Sequence, residues 1–106
     1  DPEMSRGLGD VYKRQYKYQS LASGFRNRKA DPFLVTVEPK PEDTPIYYNT
    51  HYGQEFNLVI EGRMLLSING KDLILEQGDS LYFDSSLPHG MKALDGKAVK
   101  FLAIVM

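Results

Sequence analysis

Turn residues interrupt this chain so often that no helical period of useful length survives between them, while the intervening runs are short and rich in β-formers. Asn69-Gly70 is the strongest of these signals, since both residues tolerate the positive φ that a type I′ hairpin turn requires. It separates Met64–Ile68 from a return run at Leu73–Leu75. Further turns are expected at Glu61-Gly62-Arg63, Gln77-Gly78-Asp79 and Asp95-Gly96, with Leu81–Phe83, Met91–Ala93 and Val99–Val105 as the runs between and beyond them. Upstream, Tyr16 and Tyr18 alternate with Lys17 and Gln19 as a half-buried strand, Gly24 to Asp31 is a charged loop, and Phe33–Val37 is a β-branched run. The prolines at 39, 41 and 45 bar both helix and central strand from the stretch that follows. About eight short strands with turns every ~8–12 residues predict an all-β sandwich or barrel in a single domain.

The run from Gln54 to Glu61 puts Phe56, Leu58 and Ile60 on one face and Glu55, Asn57 and Val59 on the other. It is therefore expected to be central and covered on both sides, with the Phe56 face as ordinary core. Its polar face would be costly to bury without a ligand, water or metal. Glu55 lies four residues after His51, which on a strand of period two puts both side chains on one face, and Gly53 between them leaves room. His89 is the other histidine of the chain and follows a Ser-Ser-Leu-Pro turn that could swing it toward the same space. Two histidines and one carboxylate on one side of a metal form the facial set associated with non-haem iron; manganese, nickel or zinc could occupy a similar set. Taken singly, each of the three reads equally as an ordinary polar residue. Asn49, Asn57, Tyr82, Phe83 and Met91, together with Tyr47 and Tyr48, are candidate pocket wall, with plain core packing as the alternative for each. Asn49 is either a weak oxygen ligand or a residue capping its own backbone.

Composition narrows the function. A formal net charge of -1 and a pI near 6.1 argue against a nucleic-acid surface in this chain. With no cysteine there are no disulfides or thiolate zinc sites, in keeping with a cytoplasmic protein. No apolar run approaches the ~18 residues that cross a bilayer. The run from Ser5 to Gln15 reads codon for codon as the forward translation of a transposon sequencing adapter, and Asp1 to Met4 fit the same frame. Residues 1–15 are accordingly expected to be adapter-derived and disordered, with residues 16–106 as the domain and an upstream segment missing.

The pattern of His51, Glu55 and Gly62, answered by Gly78-Asp79 and His89, resembles the two motifs of the cupin superfamily. Asn49 stands at the position of the family's first histidine, Asp84 at the motif proline, Ser86 at the motif glycine and Ala93 at the motif asparagine. Gly53-Gln54-Glu55-Phe56 and the run from Tyr82 to Gly90 look closest to the cupin domains that follow a helix-turn-helix in XRE-type bacterial transcriptional regulators. The resemblance implies a cupin double-stranded β-helix, or jelly-roll barrel, whose mouth holds the three ligands. It also implies a small-molecule effector, a homodimer paired through the edge strand from Tyr16 to Ala22, and DNA contact only through the missing N-terminal domain. An iron epoxidase acting on hydroxypropylphosphonate carries a similar triad, so a mononuclear non-haem iron enzyme is the alternative, and a stand-alone cupin isomerase or binder is a third reading. The sensor is favoured over an enzyme, because no substrate-clamping Lys, Arg or Tyr falls at a recognisable spacing.

Overall fold

The computed structural model describes residues 16–106, and the run at 1–15 read as adapter-derived lies outside the described residues. Eight strands follow one another: β1 Tyr16–Ser20, β2 Asp31–Val37, β3 Gln54–Glu61, β4 Met64–Ile68, β5 Lys71–Leu75, β6 Ser80–Asp84, β7 His89–Ala93 and β8 Val99–Val105. They pair antiparallel in a five-stranded sheet of order β1-β2-β8-β3-β6 and a three-stranded sheet of order β5-β4-β7. Among the described residues there is no helix. The two sheets enclose one core, as a jelly-roll barrel requires.

Alternation builds that core. Phe33, Val35 and Val37 of β2 and Val99, Phe101, Ala103 and Val105 of β8 are buried, and Met64, Leu66 and Met91 meet them from the small sheet. The β4–β5 hairpin turns through Asn69 and Gly70 at φ 50° and 84°, the left-handed pair expected of them. Residues 39–48 stay irregular and lie along β7, where an isolated bridge joins Asn49 to His89 and the Tyr48 hydroxyl meets Ser67 Oγ at 3.1 Å. At the first described strand, the buried Tyr16 hydroxyl donates to Met91 O at 3.1 Å and ties β1 to β7. Burial pushes its phenol up to about 12.

Strand β3 is central, between β8 and β6, but its faces are the reverse of the expectation. Glu55, Asn57 and Val59 point inward and are buried, at 5%, 0% and 1% exposure. Phe56, Leu58 and Ile60 lie outside, with Ile60 46% exposed. A barrel has one interior, and the side of β3 that faces it carries Glu55 and Asn57 together with the core residue Val59. The apolar set is left on the outer surface, in register with Leu34, Leu102 and Ile104.

Candidate metal centre

The three candidate ligands arrive by different local devices. His89 opens β7 after a turn that Asp84 organises: its Oδ1 accepts from the Ser86 amide at 2.9 Å and from Ser86 Oγ at 2.7 Å, while Leu87 N donates to Asp84 O at 3.2 Å. Those bonds also hold the Asp84 carboxyl below its usual range. Asp84 and Ser86, two of the three departures from the family's second motif, thus build the turn with side-chain hydrogen bonds. The His89 ring is fully buried, stacks edge-on to Phe83 with centroids 5.1 Å apart, and has Nδ1 2.8 Å from Leu87 O. That carbonyl can only accept, so Nδ1 carries the proton and Nε2 faces Glu55. Burial lowers the His89 pKa, outweighing the Leu87 carbonyl and the Glu55 charge, which raise it, and His51 lowers it further. The ring is therefore held in the neutral form that ligates.

His51 does not share a strand with Glu55, as the four-residue spacing suggested. It precedes β3, and the chain bends between them at Gly53, φ 106°. A Cβ on Gly53 would lie 1.9 Å from Met106 O, so only glycine fits that bend. The loop is stitched on two sides: His51 N donates to Ser85 O at 2.9 Å and Ser85 N to Gly53 O at 3.1 Å, while Gln54 and Met106 exchange both backbone bonds, at 3.2 and 2.8 Å.

The result is a compact cluster. His51 Nε2 is 3.2 Å and His89 Nε2 3.7 Å from Glu55 Oε1, the imidazole rings stand 5.1 Å apart, and one ligand atom from each of the three lies within 4.8 Å of the others. Although His51 Nε2 is within ion-pair range of the carboxylate, it is not aligned for a hydrogen bond, and both its ring nitrogens are buried without a hydrogen-bond partner. A buried imidazole left so is expensive. A divalent cation among the two nitrogens and the oxygen would satisfy the site, and the donor set suits iron, manganese, nickel or zinc.

The other sequence candidates divide. Asn57, Phe83 and Met91 are buried on the inner faces of their strands. Asn49 is held by its main chain, exchanging backbone bonds with His89 at 2.9 and 3.0 Å. Tyr82 is a correction: alternation in β6 sends Phe83 inward and Tyr82 outward, where it is 55% exposed and its hydroxyl bonds Gln54 Oε1. Tyr47 and Tyr48 are likewise half-exposed. Sequence reasoning missed Ser85, whose main chain holds the His51 loop and whose buried Oγ has no hydrogen-bond partner. It also missed Lys71, which shares a row with Ile68 and His89 across the small sheet. Directly paired residues point to the same side, so the Lys71 side chain leaves the sheet on the side of Ile68 and His89, although it is itself exposed. The hairpin signal at Asn69-Gly70 fixed its place, but pairing with β7 was needed to bring it level with His89.

The sequence profile of the Cupin domain family matches residues 33–105. Among solved structures, the chain is similar to the hydroxypropylphosphonic acid epoxidase from S. wedmorenis in complex with fosfomycin, with 27% identity, a TM-score of 0.76, and coverage of 90% of this chain and 53% of that one. It is similar too to Fe(II)-HppE with the alternative substrate (S)-1-HPP, at 26% identity and TM-score 0.75, covering 87% of this chain and 50% of that one. The Cupin_2 domain of an XRE family transcriptional regulator from Enterobacter cloacae matches at 20% identity and TM-score 0.73, over 86% of this chain and 95% of that one, a likeness of fold alone. The chain spans about half the length of the epoxidase structures it matches. No curated protein matches it.

Proposed function

Because this chain belongs to the cupin domain family, we propose that residues 16–106 form the effector-binding domain of a bacterial transcriptional regulator, with a divalent metal at His51, Glu55 and His89 helping to hold a small molecule. The observation that carries this reading is the buried cluster of three ligand atoms within 4.8 Å, one imidazole of which has both nitrogens unsatisfied. A bound metal supplies Lewis acidity and open coordination positions for an anionic or oxygen-donor ligand. Lys71, exposed in the strand row that His89 begins, is the cation nearest in register for such a ligand. The domain acts as a cytoplasmic homodimer paired along β1, and DNA is read by a helix-turn-helix elsewhere in the parent protein.

A second reading, a mononuclear iron enzyme, is supported by likeness to the Fe(II) epoxidase at 26% identity. The two part on turnover, since a sensor needs binding alone. Metal analysis of the purified protein, followed by titration of His51→Ala, Glu55→Ala, His89→Ala and Asn49→Ala, tests the shared premise. Loss of any triad member is expected to weaken metal binding by more than the ~10–100-fold typical of outer-shell changes, whereas Asn49→Ala keeps the backbone bridge and changes it little. Oxygen consumption by the iron-loaded protein with hydroxypropylphosphonic acid would move the assignment to the enzyme. Absence of metal, with a small anion still bound through the same three residues, would make the pocket an organic-ligand site.

A further inference from the structure

We infer that Asn57 is a positioning residue that restricts Glu55 to a single metal-facing oxygen; the inference rests on the metal reading proposed above. Asn57 follows Glu55 by two residues on the inner face of β3 and is 0% exposed. Its strand neighbours are Leu81 and Ala103, and the next inward residue of β3 is Val59, an apolar setting that a Leu or Val would fill at no polar cost. An amide is retained there, and its geometry shows what it does. With its nitrogen turned to the carboxylate, Asn57 donates to Glu55 Oε2 at 2.9 Å and to Phe56 O at 3.1 Å. The opposite orientation would set the amide oxygen against two acceptors, so the donating orientation is the physical one.

The two carboxylate oxygens thereby acquire different tasks. Oε2 is bound by Asn57, while Oε1 is the atom 3.2 Å from His51 Nε2 and 3.7 Å from His89 Nε2. Without the amide, the carboxylate could turn and offer both oxygens to a metal, filling a coordination position that a ligand would otherwise take. Because Phe56 O accepts the second amide hydrogen, Asn57 is itself fixed to the strand that carries Glu55. Asn57 therefore sets how many positions at the centre stay open. Hydrogen-bonding partners of metal ligands commonly act in this way.

Cobalt(II) is the probe, since its visible absorption weakens as coordination number rises. In wild type and in Asn57→Leu, similar in volume but without a donor, cobalt is titrated in and azide is then added as a small anion competing for an open position. The variant is expected to show a weaker cobalt band and an azide affinity lower by about tenfold. Matching spectra and azide affinities would overturn the inference and leave Asn57 a packing residue, even if the variant is less stable. A wild type that takes up no cobalt would overturn the metal reading and this inference together. Should Asn57→Leu fail to fold, the zinc-loaded wild type decides by NMR: hydrogens of the Asn57 side-chain amide exchanging as fast as those of exposed asparagines would overturn the inference, and strong protection with a coupling to the Glu55 carboxylate would support it.

Discussion

Tyr16 gives the fold a pH signature of its own. Its pKa is about 12 against an ordinary 10.0, and burial is the cause. A folded pKa above the unfolded one means that the native state holds the proton longer, so this stabilisation is complete below pH 10 and is lost between pH 10 and 12. Two pKa units correspond to roughly 3 kcal/mol. Urea unfolding of wild type should therefore show midpoints falling across that window. Tyr16→Phe should lack this component and lose about 1 kcal/mol at neutral pH, because Met91 O then has no hydroxyl to accept from. Gly90 makes a second residue-level prediction. A Cβ there would sit 2.3 Å from Tyr47 O and 2.5 Å from Ile46 Cγ2, so Gly90→Ala should cost about 1–3 kcal/mol as the irregular segment is pushed off β7, read as a lowered melting temperature.

Among the elements, the turns separate two kinds of glycine. Gly70 has φ 84° and a Cβ there would meet nothing within 4 Å, so Gly70→Ala should cost only the backbone term, about 1 kcal/mol. Gly53→Ala meets the Met106 carbonyl and should both destabilise the fold by more than that and weaken metal uptake; thermal melts with metal titration of the two variants check the contrast. The hairpin was legible because its chemistry is local: Asn69-Gly70 carries its own turn geometry. The three candidate ligands were picked out by residue type, but the reason they meet was not legible, since His51 reaches Glu55 through a bend supported by Met106 and Ser85, contacts distant in sequence. Period-two alternation separates the faces of β3 and β6 without saying which looks inward, and that is why it places Phe56 in the core and Tyr82 in the pocket. The donor role of Asn57 depends on which carboxylate oxygen it meets, a matter of side-chain geometry.

At the level of the whole molecule, the larger sheet separates two ends. Tyr16 pairs with Val37, and Val37 with Val99, at one end; Asp31 and Glu55 both pair with Val105 at the other, where the candidate centre lies. No helix among the described residues is long and apolar enough to cross a membrane. With a formal net charge of -1, the chain is expected to show no sequence-specific duplex binding by gel shift at moderate salt, and specific binding would contradict the division of labour proposed above. Sedimentation should give twice the monomer mass if β1 pairs with its copy. The exchange of backbone bonds between Gln54 and Met106 also matters to anyone who handles the protein: a purification tag or reporter joined after Met106 would hang from the seam that shapes the His51 loop, and could loosen metal uptake without touching a ligand.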